Sequence, residues 1–492
     1  MTSIKPSRGN SLLALVLLAL LVAPAQLWGD QKNDKKPASQ PHPSAPAPKP
    51  AAPAGHGPSQ TGNQQQGTQG HNPGTPGYKP ATPGNKPGTP GNKPGTPGYK
   101  PGTPGGPKPV SLGPGKGTAM VSRSPSGRVA KIQANGMTIS HPLRGPRTVV
   151  KETNGRTIVA TGRQGGYVQR PYFSRDGRSY VQRTYVVGGK SYVSVYRSYT
   201  YGGVVYYGYA PAYYYQPAYY GWAYNPWGAP VVYGPAAWGW VGSPWYGYYP
   251  GYFAPYPAYA SASQWLTDYL LAANLQAAYA ANAQAEATAA DAGTAPPDRS
   301  AAAAAPQTPL SPETKQLIAD EVKKQLAASQ SAASSKGAAA PTADLPDALN
   351  PAERIFVVSS HLDVATADGK ECGLAPGDVV MRMTDAPDGN QNVSASVQSS
   401  KKADCAAGQT VSIGVQELQE MHNQFRQQLD SGLQTLASNA GKGGLPQAPD
   451  TSTTVGEVPA PPPDKSAADQ LKSAQQEAEA VDNAVQRGAA GG

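Results

Sequence analysis

The sequence is poor in the residues that usually build a large core. Phenylalanine occurs four times in 492 residues, cysteine twice, and only 15% of positions are charged. Gly (56) and Pro (52) together exceed a fifth of the chain. Compact folding along the whole length is therefore excluded, because too little Leu, Ile and Phe is present to offset conformational entropy. Two modest folded regions are expected in place of the roughly three domains that length alone would allow. Long apolar runs are lacking too: the one at residues 11–22 falls short of the roughly 20 residues that cross a bilayer. No charge at all occurs in YYGYAPAYYYQPAYYGWAYNPWG, residues 206–228, an unusual stretch for a chain in water.

Residues 1–25 read as a cleavable signal peptide, with a basic leader, the apolar run and the small residues Ala23-Pro24-Ala25. No cysteine follows the run, so no lipid anchor is expected on the mature end. Export to the periplasm, cell envelope or extracellular medium is the expectation. Cys372 and Cys405 agree with it, since an even pair in an oxidising compartment usually closes a disulfide; two buried free thiols are the alternative. The net charge of +10 is uneven, with basic residues dominating up to about residue 200.

Residues 26–118 read as a disordered Pro/Gly/Lys-rich spacer in which PGTPGYK, PATPGNK, PGTPGNK and PGTPGYK follow one another from Pro73. Pro-Gly pairs suit transient type II turns and polyproline stretches. In composition alone the repeats are similar to elastin-like and adhesive-protein repeats. Residues 119–285 are expected to hold a basic antiparallel β-meander of six to eight strands, an aromatic strap and a closing helix. Asn135-Gly136, Asn154-Gly155, Asp176-Gly177, Gly188-Gly189 and Gly202-Gly203 mark its hairpin turns. The strap carries proline too often for a central strand or a helix, so an irregular course is expected, its rings covering the preceding sheet or staying partly exposed. The closing helix would turn Leu266, Leu270, Ala273 and Ala277 inward.

Residues 286–349 read as an Ala-rich linker containing a helix at 311–328, begun by Ser311 and Pro312. Residues 350–440 read as a small β-domain of about five strands, with both cysteines in loops and a helix at 415–439. Residues 441–492 read as a Pro-rich linker and a weak helical tail, whose Ala467, Leu471, Ala474, Ala478, Val481 and Val485 keep a coiled-coil rhythm. The expected fold class is mostly β with accessory helices and extensive disorder: an antiparallel meander plus a separate, small, disulfide-closed, barrel-like domain. Helices 311–328 and 415–439 are candidates for self-association.

Signals of catalysis are sparse. GPGKGT at 113–118 lacks the Gly-Lys-Ser/Thr order of a phosphate loop, and the six histidines have no metal-ligand spacing. Neither catalytic residues nor a metal nor a cofactor is expected, and a hydrolase or redox enzyme is the least favoured reading. What the chain does hold is basic and aromatic. Arg170, Arg183 and Arg197 stand among tyrosines, a pattern with which proteins grip anionic polymers by charge and stacking. The plainer alternative places tyrosines inward and arginines in solvent on the two faces of a sheet. Trp222, Trp227, Trp238, Trp240 and Trp245 are candidate contact residues, being large, stiff and amphipathic. Export shifts the expected partner from nucleic acid to envelope polysaccharide, a membrane interface or an envelope protein. A non-enzymatic structural or adhesive envelope protein is the leading expectation; a carbohydrate or anionic wall-polymer binding module is the alternative.

Two resemblances accompany these residues. GLAPGDVV at 373–380 resembles the Gly-Leu-x-x-Gly-Asp-Val turn and strand of PDZ domains and other small β-barrels, although no carboxylate-binding loop stands upstream. YYGWAYNPWG, SPWYGYYPGYFAPYP and WLTDYLL resemble uncharacterised exported bacterial proteins that join such a strap to a short helix. That likeness implies a location and an architecture, and it brings no activity with it.

Overall fold

The computed structural model describes residues 106–291, 308–335 and 345–490, apart from 125, 144, 163, 164, 176, 402, 403 and 457. The expected signal peptide, the repeats and most of the expected spacer lie outside the described residues. Those described belong to one compact unit.

Asn-Gly and Gly-Gly turns fold the basic region back on itself repeatedly. Ten strands result: β1 (Lys108–Ser111), β2 (Thr118–Arg123), β3 (Val129–Ala134), β4 (Met137–Ser140), β5 (Thr148–Thr153), β6 (Arg156–Thr161), β7 (Gly165–Arg175), β8 (Arg178–Val187), β9 (Lys190–Tyr201) and β10 (Val204–Ala210). Each pairs antiparallel with the next in one open sheet. Asn135 and Gly136, at φ 50° and 70°, take the left-handed conformation that a tight hairpin needs, and Asn154 and Gly155 repeat it. The sheet begins earlier than residue 119, taking β1 from the expected spacer. GPGKGT is the turn between β1 and β2, closed by the Leu112 N–H donating to the Gly117 carbonyl at 3.0 Å.

Beyond the meander the strap is less irregular than its prolines imply, because those prolines sit where proline is tolerated. Pro217 and Pro244 open the short helices α1 (Pro217–Tyr224) and α2 (Pro244–Tyr248) at their first turns. Between and around them run β11 (Tyr213–Tyr215), β12 (Pro226–Val231) and β13 (Tyr259–Ser261). Two long helices follow, α3 (Ala262–Asp291) and α4 (Pro312–Ser334). Ser311 caps α4 by accepting from the Thr314 N–H. The inward face of α3 is Leu266, Leu270, Leu271, Leu275 and Ala278, whereas Ala277 is exposed. The expected stripe drifted because α3 is enclosed by the strap, α4 and a further helix, so one face does not hold all its contacts.

A second sheet holds β14 (Ile355–Val357), β15 (Leu362–Thr366), β16 (Glu371–Leu374), β17 (Val379–Arg382), β18 (Asn392–Ser399) and β19 (Thr410–Gly414), ordered β14-β17-β18-β19-β15-β16. Cys372 and Cys405 form a disulfide across 33 positions. Cys372 lies within β16, not in a loop as expected: a four-residue strand offers too short an alternation to be recognised from sequence.

The last elements tie the two sheets together. Helix α5 (Val415–Asn439) runs along β10, the edge strand of the meander, and packs on α3 as well. Asn423 donates to the Tyr207 carbonyl at 2.7 Å and accepts from the Tyr209 N–H at 2.9 Å, while Gln416 donates to the Val205 carbonyl. An open row of backbone groups is thereby closed by side chains. Strand β20 (Thr453–Val455) pairs with β11, and helix α6 (Ala467–Ala490) covers the meander face made by Val121, Ile132, Ile139, Val149 and Ile158. The seam expected for the tail is buried, against a sheet and not another helix. Among the described residues no helix is long and apolar enough to cross a membrane.

Candidate functional site

The tryptophans singled out from the sequence share one aromatic core with the inner faces of α3, α4 and α5. Trp227, Trp238, Trp240 and Trp245 are each at most 9% exposed, and Trp222 is partly buried against them. The rings rest on helices, not on the face of the meander, which α6 and residues of α5 cover instead. Trp240, Trp238 and Trp265 stack at centroid distances of 4.5 and 4.3 Å, and Tyr269 continues the pile at 5.8 Å. Trp265 was not singled out: it stands on the helical WLTDYLL segment, where spacing reads as ordinary core.

One buried relay fastens this stack. The Trp238 indole donates to the Tyr259 hydroxyl at 3.0 Å, which donates to Asp268 at 2.8 Å. Lys315 of α4 closes it with an ion pair to Asp268 at 2.7 Å and stands 3.8 Å from the Tyr256 ring centroid. Burial raises the Asp268 carboxyl and lowers the Lys315 ammonium, and each is partly restored by the other. The pair is a structural clamp between strap and helices.

The second sheet receives the strap at GLAPGDVV. Tyr252 donates to the Gly377 carbonyl at 2.8 Å and accepts from Ser399. Asp378 pairs with buried Lys401 at 2.8 Å and accepts the Ala375 N–H. The loop is thus held from within and capped by the strap.

Of the three arginines, Arg183 is 1% exposed. Its guanidinium makes a bidentate pair with Glu420 of α5 at 2.6 and 2.8 Å, and its Nε donates to Gln169. The rings of Tyr167, Tyr196 and Tyr207 enclose it, with centroids at 4.6, 4.1 and 5.3 Å. Burial opposes its charge, but Glu420 and the tyrosine hydroxyls hold its pKa well above the ordinary value. Arg170 and Arg197 are half-buried on the opposite face, Arg197 beside the Tyr199 ring. The three therefore do not converge: the pleat sends Arg183 to one side of the sheet and the other two to the reverse.

A buried polar junction joins α4 to α5, and scattered single letters gave no sign of it. His422 contacts Glu353 at 2.8 Å; Arg426 donates to Gln325, which donates to Glu321. Asp430, one turn beyond Arg426, accepts from the Tyr209 hydroxyl at 2.9 Å, and burial pushes its carboxyl up to about 6. His422 is lowered by burial but raised overall by Glu353 and Asp347.

A concave, polar feature lies elsewhere, where the β5–β6 hairpin meets α6. It is a half-open groove of about 510 Å³ lined by Lys151, Thr153, Asn154, Arg156, Ile158, Gln470, Ser473 and Ala474. Lys151 pairs tightly with Glu477, at 2.6 Å, whereas Arg156 stands 3.5 Å from Asp464. In the sequence Asn154 marks only a turn, and Gln470 and Ser473 lie on the outer side of a tail helix; nothing linear joins them. Among the described residues no group of three or more His, Cys, Asp or Glu is placed to hold a metal.

No protein-family model, curated protein or solved structure matches the chain.

Proposed function

We propose that the protein is an exported structural or adhesive component of the cell envelope, working by contact and without chemical turnover. The observation that carries this reading is the outer surface of the strap. No charged residue stands between Arg197 and Asp268, and while most large rings of this stretch turn inward, Tyr224, Val232 and Val241 are 41%, 74% and 68% exposed. A stiff aromatic slab with a neutral skin is suited to lying against envelope material at little entropic cost. The Cys372–Cys405 disulfide accords with an oxidising compartment.

Cell fractionation with protease treatment of intact cells tests the location, and co-sedimentation with isolated envelopes tests the contact. The doubly substituted Val232→Asp, Val241→Asp chain keeps its core and is expected to leave the envelope fraction. Unchanged sedimentation, or a wild-type protein confined to the cytosol, overturns the reading. A second reading, a binding module for carbohydrate or anionic wall polymer, draws its support from the groove between the β5–β6 hairpin and α6.

A further inference from the structure

We infer that this groove binds an acidic oligosaccharide unit: a short, hydroxyl-rich ligand carrying a carboxylate or phosphate. The inference rests on the second reading above and gives it a location distinct from the strap and from the three arginines.

The lining residues decide the ligand class. Ile158 and Ala474 are its only apolar members, so a lipid chain or large apolar ligand would find too little surface to bury. No aromatic ring lines the groove, which removes the stacking on which nucleobases depend. What remains is polar: the Arg156 guanidinium, the Asn154 amide and the Thr153 hydroxyl, together with Lys151 and Ser473, which donate to Glu477, and Gln470, which donates to Ser466. Amides and hydroxyls both donate and accept, as a ring of sugar hydroxyls requires. Arg156, whose pairing with Asp464 is looser, adds a preference for an anion.

Arg156 is the free hand of the site. Lys151 is committed to both oxygens of Glu477, at 2.8 and 2.6 Å, and so acts as a fixed wall. Arg156 meets Asp464 only at 3.5 Å, leaving most of its planar fork of donors for a second, bidentate acceptor. Asn154, at φ 50°, holds its place because the hairpin turn fixes its backbone. The volume lies within the range of small-ligand sites and accepts a short oligosaccharide.

Calorimetric titration of the full chain lacking residues 1–25 tests this with three probes: an oligogalacturonate, a glycerol-phosphate oligomer and a neutral oligosaccharide of similar length. Binding of either acidic probe, with the neutral one at least tenfold weaker, is expected; whichever acidic probe binds more tightly identifies the source of the charge. Arg156→Gln is expected to weaken binding about tenfold. Ser473→Trp, on the exposed side of α6, is expected to abolish it by filling the groove, and far-UV circular dichroism verifies that both variants are folded. The inference is overturned if neither acidic probe binds at millimolar concentration, if the neutral probe binds as well, or if both folded variants bind like wild type. Failure here with the protein still sedimenting with envelopes leaves the contact reading intact; loss of sedimentation alone leaves the groove intact.

Discussion

At the scale of single residues, Arg183 shows what a basic-aromatic pattern can mean. The sequence motif is the one used to grip polymers, yet the side chain is spent on Glu420 and three tyrosine rings of its own chain. Its loss would remove bidentate hydrogen bonds and ring contacts together while leaving Glu420, which is partly exposed, without its partner. Arg183→Met is expected to cost about 2 to 4 kcal/mol in urea unfolding. Arg183→Lys should recover only part of that, since an ammonium cannot supply the planar fork. Trp265, fully buried between Trp238 and Tyr269 in the ring stack, is expected to cost about 3 to 5 kcal/mol on change to Ala, measured in the same way. Neither role was legible beforehand. Alternation along β8 shows that Arg183 and Gln182 point opposite ways, but it does not say which face another element will cover.

At the scale of elements, hairpin turns were the most legible feature, because a tight two-residue turn demands positive φ and few residues other than Asn and Gly tolerate it. The covering of the sheet was not legible. The helix at 415–439 carries a clear apolar stripe, and the residues that place it on β10 are polar ones on a neighbouring face, Gln416 and Asn423. Asn423→Leu would leave the Tyr207 carbonyl and Tyr209 N–H unpaired. The expected result is a loss of about 2 kcal/mol in denaturant unfolding, with light scattering rising on warming as β10 becomes available for pairing between molecules. The groove escaped notice for a similar reason: its two walls are separated by some three hundred positions, and only the packing of α6 on the meander joins them.

At the scale of the whole molecule, stability should depend on pH through the α4–α5 junction. Asp430 has a folded pKa of about 6, above the unfolded value near 3.9. Its contribution is therefore full below about pH 4 and lost as pH rises through about 6. His422 is also raised, so its contribution is full below its unfolded value near 6.5 and lost above that. Glu353, lowered by His422 although burial alone would raise it, acts in reverse and matters only in more acidic solution. The melting temperature is expected to fall between pH 5 and pH 8. Asp430→Asn should flatten the part below about pH 6, and a melting temperature unchanged over this range would contradict the assignment. Reduction of Cys372–Cys405, which closes a loop of 33 positions, is expected to remove about 3 to 4 kcal/mol.

The pairing of β11 with β20 and the seating of α6 on the earliest strands also bear on the order of events during synthesis. The opening third of the body has no finished interior until the closing segment has been made. Fragments ending before residue 467 should thus expose the meander's inner face and aggregate, and in a growing polypeptide that face should stay uncovered until residues 467–490 have been made.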